Sequence, residues 1–207
     1  LKAATKAKVG DDIFVIADED SSLCFSLAST LRTRVGETLG LKDDSEYKFC
    51  WIVDFPMYEK DKETGEIGFC HNPFSLPQGG IEALKEKDPL DILAYQYDVV
   101  VDGVELSSGA VRNTDEETML KAFEIAGYSQ EDVEKKFGAL YTAFQYGAPP
   151  HAGIAPGVDR ILMLLLGEKS IREVVAFPMS SKAQDLMMGA PSFVTEEQLR
   201  EIHIKLR

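Results

Sequence analysis

The sequence predicts an α+β fold, an antiparallel sheet flanked by helices, with a partial α/β unit in front of it. Three observations lead there. Asp102-Gly103, set between Val99-Val100-Val101 and Val104-Glu105-Leu106, is the dipeptide that a two-residue type I′ hairpin requires, so two strands must run antiparallel. Phe49-Cys50-Trp51-Ile52-Val53-Asp54-Phe55 is apolar on both faces, the pattern of a strand central in a sheet. Two helical stretches with capping residues, opening at Thr114 and at Ser129, follow the hairpin.

The elements in order begin with Ile13-Phe14-Val15-Ile16-Ala17, whose β-branched, apolar content predicts a short buried strand. Ser21 or Ser22 caps a helix in which Leu23, Leu27, Leu31 and Val35 recur every four residues, and Gly40 ends it. One strand and one helix cannot close a core. Residues 1–47 therefore read as the closing part of a unit, and a start at Leu1 rather than Met suggests a piece of something longer. The boundary falls in the polar run Asp43-Asp44-Ser45-Glu46, with residues 48–207 as the second unit.

Within that unit the charged run Glu59 to Glu66 makes a hairpin tip, and the return strand Ile67-Gly68-Phe69-Cys70 delivers His71-Asn72-Pro73-Phe74. Residues 75–91, rich in Gly, Pro and Lys, predict a loop or lid. Thr114 with Glu117 forms a capping box for a helix through Ala126, closed by Gly127. Ser129 opens the next, with Val133, Phe137, Leu140 and Phe144 as its apolar stripe, and Gly147 with Pro149-Pro150 stops it. Ile161 to Leu166 is apolar on every side and far too short for a bilayer, so it reads as a buried helix ended by Gly167. Val174 to Pro178 is a short apolar element and Lys182 to Met188 a helix. Thr195 with Gln198 caps a last helix that turns Leu199, Ile202 and Leu206 inward, with His203 a structural neighbour of that stripe.

Charge and cysteine content narrow the function classes. Lys+Arg of 22 against Asp+Glu of 35 gives −13, which disfavours a broad nucleic-acid footprint while leaving room for a local one. Cys24, Cys50 and Cys70 are odd in number and show no C-x-x-C spacing, against a disulfide framework or zinc finger and in keeping with a reducing cytoplasm. No signal peptide, membrane span or lipidation signal is present.

Two places carry chemistry. In His151 to Arg160, Gly153, Ala155 and Gly157 alternate with larger residues, so one strand face is nearly bare and a flat group can lie against the backbone. Arg160 then falls in the first turn of the following helix, beside outward-pointing N–H groups that suit an anion. A tightly packed corner with an ordinary Arg160 salt bridge fits the same residues. In the hairpin, the register Val101 with Val104, Val100 with Glu105 and Asp98 with Ser107 puts Asp98 and Glu105 on one face, about 5.5–8 Å apart at the backbone. Such a carboxylate pair repels unless a cation intervenes, and Mg²⁺ completed by water and phosphate suits it. A solvated polar face fits the same two carboxylates. Strict alternation would put Arg112 on the opposite face from Glu105; a bulge near Gly109 is expected to bring them together, while by its own residues Arg112 reads first as a surface strand cation.

Gly153-Ile154-Ala155-Pro156-Gly157-Val158-Asp159-Arg160 and the apolar run after it resemble motif 3 of the class II aminoacyl-tRNA synthetases. Trp51 to Glu59, His71 to Ser75, Gly103-Val104-Glu105 through Arg112, and Gly147 to Gly153 are, in this order, similar to the bacterial aspartyl-specific family. Residues 1–47 resemble the end of that family's GAD insertion domain, and residues 48–207 the C-terminal half of its catalytic domain. The resemblance implies a ligase that uses ATP and Mg²⁺ to activate L-aspartate and transfer it to tRNA(Asp), with tRNA(Asn) as a further candidate acceptor, in a cytoplasmic homodimer. Residue by residue it implies Glu105 at ATP and Mg²⁺, Asp98 as the partner metal ligand, and Arg112 and His71 at aspartate. Gly157, Val158, Asp159 and Arg160 would contact ATP, Arg160 at the γ-phosphate, so that Arg160, Glu105 and Arg112 form the catalytic set. This chain departs from many relatives at Ser107-Ser108-Gly109, where a glycine triplet is common, and at Asn72, where some have a second histidine. The resemblance also implies that the anticodon-binding OB-fold, motif 1 and motif 2 lie outside the sequence, so the isolated chain should show little ATP–pyrophosphate exchange. Two other readings fit the residues: an asparagine-specific class II relative, and a non-catalytic binding module or truncated paralogue.

Overall fold

The computed structural model describes residues 2–43 and 45–205; Asp44 of the boundary run and Leu206 of the terminal stripe lie outside them. Contacts divide the chain into two units, Leu1–Tyr47 and Lys48–Arg207. In the first, α1 (Lys2–Thr5) precedes α2 (Ser21–Thr38). The cap of α2 is Asp20, not Ser21 or Ser22: its carboxylate accepts the Ser22 N–H at 2.9 Å. At the other end Gly40, at φ +62°, donates to Glu37 O while Leu41 donates to Gly36 O, which closes the helix in a Schellman motif. The strand expected at 13–17 does not form, and Phe14 and Val15 are exposed. A strand needs a ladder partner, and the described residues of this unit contain no second strand.

The second unit runs β1 (Phe49–Pro56), β2 (Tyr58–Lys60), β3 (Ile67–Phe69), α3 (Gly80–Glu86), β4 (Leu93–Val101), β5 (Val104–Val111), α4 (Glu116–Ile125), α5 (Gln130–Gln145), β6 (Ala152–Pro156), α6 (Val158–Leu165) and α7 (Glu196–Glu201). Its main sheet is antiparallel in the order β1-β4-β5-β6. Asp102 and Gly103, at φ +51° and +83°, make the primed turn between β4 and β5. Among the described strands β1 is an edge, not central, and Phe49 and Trp51 are exposed. Double-sided apolarity marks a strand for burial without saying which segment does the burying. β2 and β3 pair with each other, so the return strand answers Tyr58–Lys60 rather than residues 49–55. Asp61 holds that tip by accepting the Glu63 and Thr64 N–H groups, and these bonds, that from the Thr64 backbone foremost, keep its carboxyl below the usual range.

Residues 75–91 are not loop throughout. They contain α3 and a 3-10 turn at Pro89–Asp91, and Ser75, Pro77, Ala83 and Leu84 are buried. Gly79 and Gly80 take φ +87° and +60° to turn the chain into α3. The core sits between the β2–β3 hairpin and helices α3, α4 and α5. Met57, Tyr58, Leu84, Ile92, Ala94 and Ala122 form one cluster, and Met119, Phe123, Val133, Tyr141 and Phe144 the other. The Tyr58 hydroxyl donates to Ala122 O at 2.9 Å, and burial pushes its phenol well above the usual range.

The cap of α4 is Asp115, one residue later than expected, accepting the Thr118 N–H at 2.8 Å and the Thr118 hydroxyl at 2.6 Å. α5 opens with a Ser129–Asp132 capping box. The apolar helix α6 is only partly covered: Met163 is buried, whereas Leu165 and Leu166 are exposed. Residues 174–178 are irregular, and 182–188 form a turn instead of a helix. Asp185 and Ala190 bond through their backbones in both directions, and the Asp185 carboxylate accepts from Met187 and Met188 N–H. That local side-chain bonding competes with a helix. In α7 the Thr195–Gln198 box is present and Leu199 is half-buried, but Ile202 is exposed. His203 ends the helix at φ +56°, with its N–H on Arg200 O. The three cysteines are free, and no described helix is long and apolar enough to cross a membrane.

Candidate functional site

The site is built on one face of the β4–β5–β6 sheet, and its layout follows from register. Val101 opposes Val104 and Val100 opposes Glu105, as the turn dictates, but the next pair is Val99 with Ser107. Leu106 is therefore an extra residue, and Asp98 opposes Ser108 instead of Ser107. Because Val100 and Asp98 are two apart on β4, Glu105 and Asp98 share a face. Beyond the bulge, Ser108, Ala110 and Arg112 fall on that face too. The bulge needed to unite Arg112 with Glu105 exists, but it lies at Leu106, next to Glu105, and not near Gly109.

The same bulge fastens the motif that follows β6. The Leu106 carbonyl accepts the Gly157 N–H at 2.7 Å, and the Glu105 carbonyl accepts from Arg160 Nη1, also at 2.7 Å. Arg160 Nη1 additionally lies 3.1 Å from the Glu105 carboxylate. Both side chains are nearly half exposed, 44% for Arg160 and 47% for Glu105. An ion pair this wet contributes at most about 1 kcal/mol to folding. Its significance is positional: a strand carboxylate and a helix guanidinium meet at an open surface.

Gly157 is the N-cap of α6 and offers no side-chain cap. A Cβ there would sit 3.3 Å from the Leu106 carbonyl and 3.6 Å from Arg160 Cδ, so glycine lets the helix start approach the bulge closely. Val158, Asp159 and Arg160 form the first turn, and all three are exposed. Uncapped N–H groups beside an arginine can take an anion such as a phosphate.

Arg112 stands just past β5, between two neighbours. Its N–H donates to His151 O at 2.9 Å. On the other side Leu76 N–H bonds Val111 O and Asn113 N–H bonds Phe74 O, which makes buried Ser75 the residue directly opposite Arg112. A Cβ on Gly153 would meet the Arg112 guanidinium at 3.4 Å. The bare β6 face thus accommodates a flat group, and in this structure that group is the guanidinium of Arg112. His71 is exposed and packs edge-on against Phe55, ring centroids 5.2 Å apart, while Asn72 O accepts from Gln96 Nε2 at 3.4 Å. The 71–75 segment thereby borders the Arg112 end of the face.

The structure therefore places Asp98, Glu105 and Arg112 on one face and joins Arg160 to Glu105. His71 lies on the bordering segment and Gly157 to Asp159 at the helix start. Among the described residues no group of three His, Cys, Asp or Glu comes together as a self-contained metal cage. Two carboxylates that leave the remaining positions to water and phosphate oxygens fit Mg²⁺, which is held sparingly by protein. The sequence reading overlooked two residues here. Tyr97 donates its hydroxyl to Gly153 O at 3.0 Å, and Asp54, at φ +60° in a bulge of β1, accepts from Gln78 Nε2 at 2.7 Å. A non-glycine bulge residue leaves no sequence signal, and the pairing of Tyr97 with Gly109 arises only once the bulge at Leu106 has shifted the register.

Comparison with known proteins adds to this geometry. The pattern of the "tRNA synthetases class II (D, K and N)" family matches residues 9–181. The Aspartate--tRNA(Asp/Asn) ligase of Acidiphilium cryptum (strain JF-5) is 55% identical over 206 residues, covering 100% of this chain and 34% of that protein. The Aspartate--tRNA ligase of Streptomyces coelicolor is 60% identical over 181 residues, covering 87% of this chain and 31% of the ligase. Among solved structures, the aspartyl tRNA synthetase from Entamoeba histolytica aligns with a TM-score of 0.51 at 25% identity, covering 88% of this chain and 30% of the other. The chain spans about a third of the length of the curated relatives it matches.

Proposed function

Since the chain belongs to the class II tRNA synthetases of the D, K and N group, we propose that it is part of an aspartate–tRNA ligase and carries the aspartate- and ATP-binding face of that enzyme. In this reading residues 1–47 close an insertion (GAD) domain and residues 48–207 form the C-terminal half of the catalytic domain of a homodimer. The observation that carries the proposal is the meeting of Glu105 with Arg160 on the sheet face that also bears Asp98 and Arg112.

The reaction has two steps. The α-carboxylate of aspartate attacks the α-phosphorus of ATP; pyrophosphate leaves and aspartyl-adenylate forms. A hydroxyl of the tRNA 3′-terminal adenosine then attacks the activated carbonyl, and AMP leaves. Arg160 and the α6 N–H groups, with Gly157, Val158 and Asp159 shaping the approach, hold phosphate oxygens as charge moves onto them. Arg160 exchanges its exposed partner Glu105 for a γ-phosphate oxygen at little cost in stability. Asp98 and Glu105 would hold Mg²⁺, which supplies charge neutralisation at the phosphates. Arg112 forks onto the side-chain carboxylate of aspartate, and His71 borders that pocket. Against asparagine the guanidinium would face an amide that brings donors of its own, leaving guanidinium N–H groups unpaired.

The test is ATP–pyrophosphate exchange by the longer protein that contains this chain, with aspartate or asparagine as the amino acid. Aspartate-dependent exchange is expected, with asparagine lower by about 10⁴. Exchange supported equally by asparagine, or by neither amino acid, contradicts the reading. The isolated chain should exchange weakly at most. One relative is named an aspartate--tRNA(Asp/Asn) ligase and another, of similar identity, simply an aspartate--tRNA ligase, so aminoacylation of both tRNA(Asp) and tRNA(Asn) decides the acceptor.

A further inference from the structure

We propose that Tyr97 is a positioning residue that sets the Arg112 guanidinium from the opposite face of the sheet. The inference rests on the reading of Arg112 as the aspartate-binding arginine. Tyr97 opposes Gly109 across the β4–β5 ladder, and Gly109 opposes Ile154 across the β5–β6 ladder. These residues share the face that Arg112 does not occupy, because Arg112 is three residues beyond Gly109.

The Tyr97 ring crosses over Gly109. A Cβ on Gly109 would come within 2.5 Å of Tyr97 Cε2, 3.1 Å of Ile154 Cα and still closer to Gly153 O. Glycine at 109 is thus what allows the ring to reach past β5 to β6. There its hydroxyl donates to Gly153 O at 3.0 Å. Trp51 packs edge-on against the same ring, centroids 5.8 Å apart.

Gly153 is the connection between the two faces. Its carbonyl is held by Tyr97, and the position its missing side chain would take lies 3.4 Å from Arg112 Nη2 and 3.9 Å from Arg112 Nε. Gly153 also opposes Ala110, two residues before Arg112 on β5. The guanidinium plane, through Nη2 and Nε, thus lies on the open side of Gly153, whose carbonyl Tyr97 holds. A guanidinium that reads a carboxylate with two parallel bonds is sensitive to small rotations of that plane. Tyr97 therefore acts on aspartate binding without touching aspartate, while Arg160 and the ATP side of the site are fastened separately, through Glu105 and Leu106.

The test is Tyr97→Phe in the longer protein, assayed by ATP–pyrophosphate exchange with separate KM values for aspartate and ATP, together with the melting temperature. Removing one hydroxyl is expected to raise the aspartate KM by about fivefold, the loss of one hydrogen bond's worth of orientation. The ATP KM should stay at the wild-type value, and the melting temperature should fall by no more than about 4 °C, the worth of one hydrogen bond. Tyr97→Leu, which also removes the ring above Gly109, should raise the aspartate KM further. An aspartate KM unchanged in Tyr97→Phe, or both KM values rising together, overturns the inference while leaving the aspartate ligase reading intact. Absence of aspartate-dependent exchange in the wild type removes that reading and the inference with it.

Discussion

Replacing Gly109 by alanine inserts a methyl group where β5, β6 and Tyr97 leave no room. The new Cβ would meet Tyr97 Cε2 at 2.5 Å and Ile154 Cα at 3.1 Å, with the Gly153 carbonyl closer than either. Two of these obstacles are backbone, so no rotamer change relieves them. The strands must part or the Tyr97 ring must leave, and leaving breaks its bond to Gly153 O. Overpacking of this kind costs about 1–3 kcal/mol, and the lost hydrogen bond adds about 1 kcal/mol. With ~2–4 °C of melting temperature per kcal/mol for a chain of this size, the variant should melt roughly 4–16 °C below wild type. The control is Gly68→Ala in β3, where nothing lies within 4 Å of the added Cβ. It should melt within about 2 °C of wild type. Melting followed by circular dichroism decides the matter. Equal melting of Gly109→Ala and the control would mean that the close β5–β6 approach and the Tyr97 crossing are not as described.

Three further outcomes follow from the geometry. Glu105→Gln should leave the melting temperature within about 2 °C, because its ion pair with Arg160 is half exposed, yet lower exchange activity of the longer protein by about 10²-fold or more; parallel loss of both would make Glu105 structural. Asp115→Ala should destabilise by about 1 kcal/mol through loss of the α4 cap. In wild type the Thr118 hydroxyl, then the Thr118 N–H, hold the Asp115 carboxyl below its usual range. Its contribution is therefore complete above the unfolded-state value near ~4 and is lost as pH falls through the lower folded-state value. Stability of the variant measured against pH should accordingly converge on wild type in acid; a constant difference down to low pH would contradict this. Gly36→Ala, in α2 with nothing within 4 Å of the added Cβ, should stabilise by about 0.5–1 kcal/mol, read from denaturant midpoints.

What the sequence disclosed, and what it hid, divides by range. The Asp102-Gly103 turn, the Ser129 and Thr195 caps and the glycines that close α2 and α4 were legible because each motif satisfies its own backbone within a few residues. Asp20 and Asp115 took the caps from neighbouring Ser and Thr candidates, a choice among adjacent residues of similar propensity. The bulge was legible in its consequence and not in its place. A strand glycine signals either a bulge or a close approach, and Gly109 serves the second role while Leu106 supplies the first. Residues 75–91 read as a loop or lid because Gly, Pro and Lys recur in them, yet Leu84 and Pro77 are anchored in the core through contacts distant in sequence. The edge position of β1, the exposure of α6 and the unpaired 13–17 segment depend on what lies against them, which local pattern does not encode. In the site, Asp98, Glu105 and Arg160 were singled out by residue type and spacing, and Arg112 through the resemblance to the synthetase family. Tyr97 was missed because it serves the site from the opposite face.

The most direct measurement is a structure of the longer protein with ATP, Mg²⁺ and aspartate bound. The account predicts Arg160 turned from Glu105 onto a phosphate oxygen, Mg²⁺ at Asp98 and Glu105, and the aspartate side chain forked by Arg112 above Gly153. Ligands bound on the Tyr97 face, or Arg160 still paired to Glu105 with phosphate elsewhere, would contradict it.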